Sequence, residues 1–251
     1  MRTCAIMQAT YLPWTGFFAL MASSDDFIIL DDVQFSYQSW QQRNRIRAGK
    51  SEIMLTVPVH RPSGLHTLLK QVTLDNTRTW RKKHSQSIRL NYCKSQHWEN
   101  FGPALLKLFE NQEAHLLLNW NLSFIEFIKK ALNINTNIHL ASDINEPSDK
   151  VERLIQLCQS CQADRYISPI GSFEYINLDN RFTDSNIDLR YIDYTPQSYT
   201  QVGEGFLPSL STVDLLLNMG PESVQIIKTG INGFLTHEEL TIQKNISSLP
   251  L

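Results

Sequence analysis

The chain is short of everything that builds an extracellular, fibrous or membrane-spanning protein. Its 251 residues hold four cysteines, Cys4, Cys93, Cys158 and Cys161. They are too few and too scattered for a disulfide framework, which a chain able to bury a large core does not need; a reducing cytoplasm is the expected compartment. Glycine and proline number 10 each, which excludes collagen-like and low-complexity chains. No like-charge run exceeds the triplet Arg81-Lys82-Lys83, and 23 Lys+Arg against 25 Asp+Glu leave a net charge of −2. That balance argues against an electrostatic nucleic-acid binder. Long apolar runs are missing too. The stretch from Thr3 to Ser24 is uncharged, but Gln8, Thr10, Pro13, Thr15 and Gly16 interrupt it. Its longest apolar piece, Gly16 to Ala22, falls far short of the roughly 20 residues that cross a bilayer, so neither membrane insertion nor a signal peptide is expected. H-E-x-x-H, P-loop, G-x-G-x-x-G and G-x-S-x-G motifs are all missing, which removes the familiar zinc-protease, Walker-ATPase, dinucleotide and serine-hydrolase readings.

What is present fits a globular protein: 42% hydrophobic and 19% charged residues, enough for a sizeable core. Two short apolar runs, Cys4 to Met7 and Phe27 to Leu30, flank a Pro-containing loop and a helix-sized segment, the pattern of a β-α-β unit with buried parallel strands. A polar segment with a basic cluster (Gln38 to Arg47) precedes strand candidates at Glu52 to Val59 and Gln71 to Leu74. Helical periods then run over Thr77 to Asn91, Gly102 to Gln112 and Leu116 to Leu132. Alternation resumes with strand 137–140, helix 149–162, strand 165–168, helix 177–186 and strand 187–192, followed by a loop (Tyr194 to Pro208), a helix capped by Ser211, and another opening at Gly220-Pro221. The expected fold is α/β, a parallel sheet of Rossmann-like type in a single domain over residues 1–251, with 77–132 as an inserted helical lobe.

Chemistry concentrates after the two N-terminal strands. Asp31 and Asp32 follow a buried strand, where open α/β sheets place ligand-binding groups; a carboxylate there could hold Mg²⁺, orient an amine or act as general base, or simply cap a turn. Arg43, Asn44 and Arg45 offer donors that suit a diphosphate or carboxylate, or ion pairs on a surface turn. Trp40, between Gln38 and Gln42, could stack on a sugar or base. Ser168, Gly171 and Ser172 follow a strand and could lie beside the N-terminal loop if both runs share one sheet. Other features read as structural: Ser211 and Asp214 as a helix cap with a first-turn carboxylate, and Cys158-x-x-Cys161, of zinc-like or redox spacing, as buried thiols in a helix with no second pair after it. No metal is expected. His60 and His66 flank a turn, and His84 could touch phosphate.

The blocks Gln8-Ala-Thr-Tyr11-Leu-Pro-Trp14-Thr-Gly16, Asp31-Asp32-Val-Gln34-Phe35 and Trp40-Gln-Gln-Arg43-Asn44-Arg45-Ile46 resemble those of the WbqC-like family of bacterial proteins. So do Arg89-Leu-Asn-Tyr92, Arg153-Leu-Ile155, Tyr166-Ile-Ser168-Pro and Leu210-Ser-Thr-Val-Asp214, in the expected order from about residue 5 to residue 220. The chain has Ala9 where the family usually has Pro, and Phe17 where it often has Tyr. The resemblance implies a role in O-antigen and other surface-polysaccharide biosynthesis: transfer of an acyl or aminoacyl group to a nucleotide-linked amino sugar. Asp31 and Asp32 are then the catalytic candidates, and Gln8, Tyr11, Trp14, Gln34, Trp40, Arg43, Asn44, Arg45 and Ser168 the substrate-binding ones. The partner is a small-molecule sugar nucleotide. ATP with Mg²⁺, or no cofactor at all, remains open, as does the oligomeric state. Two alternatives stand beside it: a non-catalytic sugar-nucleotide-binding partner protein, or a nucleotidyltransferase-like enzyme lacking the usual histidines.

Overall fold

A computed structural model of the protein describes residues 1–111, 113–144, 149–176 and 181–247. The first apolar run forms β1 (Thr3–Met7) and the second β2 (Asp26–Ile29), joined through α1 (Thr15–Ala22); they pair in parallel with Ala5 opposite Phe27. There follow β3 (Arg43–Ala48), β4 (Ser51–Thr56), β5 (Val59–His60), β6 (Thr73–Leu74), α2 (Trp80–Tyr92), α3 (Trp98–Leu108), α4 (Leu117–Ala131) and β7 (Asn137–Leu140). Beyond them come α5 (Lys150–Ser160), β8 (Arg165–Pro169), α6 (Phe173–Ile176), α7 (Arg181–Asp184), β9 (Asp188–Tyr194), α8 (Thr212–Met219), α9 (Ser223–Thr229), β10 (Ile231–Leu235) and α10 (His237–Ser247).

The main sheet has the order β10-β9-β8-β1-β2-β7. It is parallel apart from β10, which runs antiparallel to β9. The N-terminal unit and the 137–194 segment therefore do share one sheet. The two strand faces explain why β1 and β2 read as unbroken apolar runs. Ala5, Phe27 and Ile29 point into one core with Phe17 and Phe18 of α1, and Cys4, Ile6 and Ile28 into another with Leu154, Leu157 and Cys158 of α5. With both faces covered, alternation disappears. The helices between 77 and 132 contribute Trp80, Ile88, Trp98, Trp120 and Phe124 to the first of these cores.

Three local expectations need correction. Residues 43–48, read as a polar segment, form β3, which pairs antiparallel with β4; alternation there is Arg43, Arg45 and Arg47 on one face against Asn44 and Ile46 on the other, and burial of Arg47 hid the pattern. The antiparallel edge strand β10 was not anticipated, since Ile231-Asn-Gly-Phe-Leu235 is short and broken by glycine. The helix expected over 177–186 is observed only at Arg181–Asp184; its start lies outside the described residues, as does Gln112 at the end of the helix expected over 102–112.

The topology sets where a ligand can enter. From β1 the chain turns into α1 on one sheet face, and from the adjacent β8 it reaches Phe182 of α7, which packs on the opposite face. Chain ends that diverge in this way leave a crevice beyond the carboxyl ends of the two strands, the usual binding position in open α/β sheets.

Candidate active site

The crevice is assembled from three distant stretches. The first is the loop after β1. Its carbonyls at Tyr11 and Leu12 accept hydrogen bonds from Asn44 Nδ2 (3.2 and 2.7 Å), which holds Leu12 at φ 44°, a left-handed conformation rare outside glycine. The second stretch, 38–45, is stitched along it: Tyr11 N donates to the Trp40 carbonyl (2.9 Å) and Gln41 Nε2 to Gln8 Oε1 (2.6 Å). The third comprises Ser209 to Thr212, where Trp14 and Ser211 form a β-bridge, Thr212 N donates to the Pro13 carbonyl and Ser211 N to the Arg45 carbonyl. The starts of α1 and α8 are thereby brought side by side. Ser211 caps α8 through Val213 N, as expected, whereas no side chain caps α1.

Two adjoining hollows share Met7, Thr10 and Trp40. One, about 210 Å³, is walled by Trp14, Asn44, Arg45 and Ser209; the other, about 310 Å³, by Gln8, Ser39, Gln41, Pro169, Gly171 and Ser172. Arg45 is the charge in the crevice. Its guanidinium bonds Glu52 (3.0 Å) and the Ser209 carbonyl (3.3 Å) and lies 5.4 Å from the Trp40 ring centre, a cation–π arrangement. Trp40 is half exposed, with 48% of its surface open. Trp14 leans edge-on against Tyr194. Thr10 Oγ1 is buried without a hydrogen-bond partner. Among the described residues, the walls carry no carboxylate, imidazole or thiol.

Of the residues singled out from sequence, Gln8, Trp14, Trp40, Asn44, Arg45, Gly171 and Ser172 line the crevice. The others lie around it. Tyr11 is fully buried, its hydroxyl bonded to His84 Nδ1 (2.9 Å). Burial lowers the His84 pKa to about 4. Asp31 is fully buried, both oxygens bound by the Ser142 amide and hydroxyl (2.9 and 2.6 Å), while Asp32 forms a nearly buried ion pair with Arg153 of α5. Gln34 is exposed and donates to the Leu65 carbonyl. Arg43 opens β3 on the same strand face as Arg45. Ser168 sits below the floor, bonded to Ser172, which reaches the surface of the crevice. Sequence reasoning missed Thr10, Ser39 and Ser209. Thr10 stood within the recognised loop, but Ser209 meets Arg45 only through the fold. Below β3, Asp214 is a buried acceptor for Tyr92, Tyr199 and Gln201 (2.7 to 2.8 Å); burial pushes its carboxyl up. It anchors β3 because Tyr92 Oη also receives the Arg47 amide.

A larger open groove of about 950 Å³ lies between β4–β5 and α2, lined by His60, Asp75, Arg78 and Lys83. Its charges largely satisfy one another, Asp75 pairing with Arg78 (2.9 Å) and His60 (3.6 Å), and it lies on a side sheet, away from the carboxyl ends of β1 and β8. The crevice is the better site.

These features define an α/β protein with a mainly parallel central sheet and a crevice beyond the carboxyl ends of β1 and β8. The chain belongs to the WbqC-like protein family, whose pattern matches residues 8–226. It is 32% identical over 230 residues to the "Uncharacterized protein Rv1507c" of Mycobacterium tuberculosis (strain ATCC 25618 / H37Rv), a match spanning 91% of this chain and 98% of that protein. No solved structure matches. Among the described residues, no helix is long and apolar enough to cross a membrane.

Proposed function

We propose that the protein is a cytoplasmic tailoring transferase of bacterial surface-polysaccharide biosynthesis that binds a nucleotide-linked amino sugar in the crevice and transfers an acyl or aminoacyl group to its amine. The observation that carries this reading is the convergence of Arg45 and the half-exposed Trp40 with Gln8, Asn44 and Ser172 around the crevice. A guanidinium suits phosphate; an indole with open surface suits a sugar or base face; Gln8 and Ser172 suit sugar hydroxyls or an acyl oxygen. In the transfer, the amine attacks the carbonyl carbon of an activated donor, the donor's leaving group departs with its bonding electrons, and the amine proton passes to a base. Asp32, paired with Arg153 and outside the crevice walls, is the carboxylate proposed as that base. ATP with Mg²⁺ could serve as activator. The proposed architecture is a single Rossmann-like domain with residues 77–132 as an insert, and nucleic acid is not a partner.

A second reading has a specific observation in its favour. Both Asp31 and Asp32 are engaged by protein groups, which suits a protein that holds the sugar nucleotide for a partner enzyme without chemistry. Calorimetric titration with sugar nucleotides, ATP and free monosaccharides, followed by mass analysis of mixtures with acyl or aminoacyl donors, separates the two. Product mass gain that disappears in Asp32→Asn, with binding retained, supports the transferase. Binding with no mass change under any donor supports the carrier. Absence of binding by any sugar nucleotide overturns both.

A further inference from the structure

The Cys158-x-x-Cys161 pair lacks further ligands in sequence, yet the fold supplies them. Asp26 opens β2, His139 lies on β7, and Cys161 ends α5, which packs on this sheet face. A carboxylate oxygen of Asp26, a ring nitrogen of His139 and the Cys161 sulfur all lie within 4.8 Å of one another. The Cys4 thiol, opposite Asp26 in the β1–β2 register, lies in the same buried cluster as Cys158 and Cys161. Asp26 and Cys4 are fully buried and Cys161 is 7% exposed, while the His139 side chain, 38% exposed, opens the cluster to solvent.

We propose that Asp26, His139 and Cys161 form a binding site for one divalent transition-metal ion of the zinc class, with water in the fourth position. Three points carry this. Bonds of 2.0 to 2.3 Å in a tetrahedron place ligand atoms about 3.3 to 3.7 Å apart, so the observed spread closes with small side-chain adjustments. The donor set of one sulfur, one nitrogen and one oxygen suits zinc, iron or cobalt and not the oxygen-seeking calcium or magnesium. Finally, the surroundings are already those of a metal site's outer layer. Arg2 pairs with both carboxylate oxygens of Asp26, Nε to Oδ2 (2.7 Å) and Nη2 to Oδ1 (3.2 Å), and Oδ1 also meets His139 Nε2 (2.9 Å); the metal enters between that oxygen and the imidazole nitrogen. Asn137 Nδ2 is 3.4 Å from the same oxygen, a further fixing contact of the kind that orients metal-bound carboxylates. Metal entry releases the Cys161 thiol proton. The site lies at the amino ends of the parallel strands, opposite the crevice, so it tightens β2, β7 and α5 without touching the ligand there.

The test uses the whole chain. Protein purified in reductant without chelator is assayed for metal by mass spectrometry, and chelated protein is titrated with Co²⁺, whose thiolate charge-transfer band reports a Co–S bond. Roughly one metal per chain, or a saturable cobalt band at one equivalent, is expected. Cys161→Ser abolishes the band and His139→Gln, at the exposed edge, weakens cobalt binding at least about tenfold; Cys93→Ser, an exposed thiol elsewhere, leaves it unchanged. Sugar-nucleotide binding by the crevice is unaffected in all three. Failure of reduced protein to bind Zn²⁺ or Co²⁺, or a band that persists in Cys161→Ser, overturns the proposal. So does a Cys4–Cys161 disulfide as the stable form in reductant, which would make the cluster a redox pair.

Discussion

Arg45 and Trp40 form one recognition unit, because the guanidinium is held over the indole while it bonds Glu52 and Ser209. Arg45→Ala removes a charged hydrogen-bonding group and is expected to weaken sugar-nucleotide binding by about 2 kcal/mol, roughly 30-fold in Kd. Trp40→Ala is expected to cost about 1 kcal/mol of stacking. Calorimetric titration with circular dichroism as a folding control checks both. His84 makes a pH prediction. The Tyr11 hydroxyl meets Nδ1 at 2.9 Å, and desolvation lowers the buried imidazole's pKa to about 4, so it is neutral in the fold. Between that value and the unfolded one near 6.5, the unfolded chain binds the extra proton and stability therefore rises with pH. This contribution, on the order of 3 kcal/mol, is complete above about pH 6.5 and is lost as pH falls toward 4. Denaturant melts of wild type and His84→Gln from pH 4 to 8 check it: the variant should show a flatter slope across that window.

The start of α1 depends on one glycine. A Cβ at Gly16 would stand 2.3 Å from the Trp14 ring, so Gly16→Ala must push the indole out of the crevice wall or shift the helix. We expect a loss of about 1 to 3 kcal/mol, seen as a melting decrease of about 2–4 °C for each kcal/mol, together with weaker ligand binding. An unchanged melting temperature would mean that the Trp14 ring moves freely. Strand β3 is the second element on which the site depends. Asn44 holds the loop after β1 while Arg47, on the opposite strand face, is buried against the loop carrying Gln201 and Gly205 (2.7 and 3.0 Å). The strand thus fastens two loops across the crevice.

Across the molecule, one apolar cluster runs from the sheet strands through Phe17 and Phe18 to Trp98, Trp120 and Phe124. Elements that share a core unfold together, so differential scanning calorimetry is expected to give one transition whose calorimetric and van't Hoff enthalpies agree. Two resolved transitions would show the 77–132 segment to be an independent unit. A sugar nucleotide at roughly 100 times its Kd should stabilise the chain by about 2.7 kcal/mol, whereas free monosaccharide should leave the transition in place. Equal effects of the two would remove phosphate from the recognition.

Backbone periodicity is local, and the elements that depend on it were legible in the sequence. The parallel β1-α1-β2 unit, strands 137–140 and 165–168, the helices between 77 and 132 and the Ser211 cap all appear where apolar spacing and capping chemistry put them, to within a few residues at their ends. Within the site, the loop motif marked Gln8, Trp14, Trp40, Asn44 and Arg45, because residues that line the crevice sit directly after strand ends or beside them. What a polar group bonds to is not local. Asp31 and Asp32 follow β2 as a ligand-binding pair would, but the placement of β7 and α5 beside β2 brings Ser142 and Arg153 to them. Ser209 reaches Arg45 across 164 positions. Asp26 and His139 join Cys161 because parallel pairing of β2 with β7 puts both on the face that α5 covers. Strand order decided these associations, since the desolvation that makes a buried charge seek a partner acts only once the chain has closed around it.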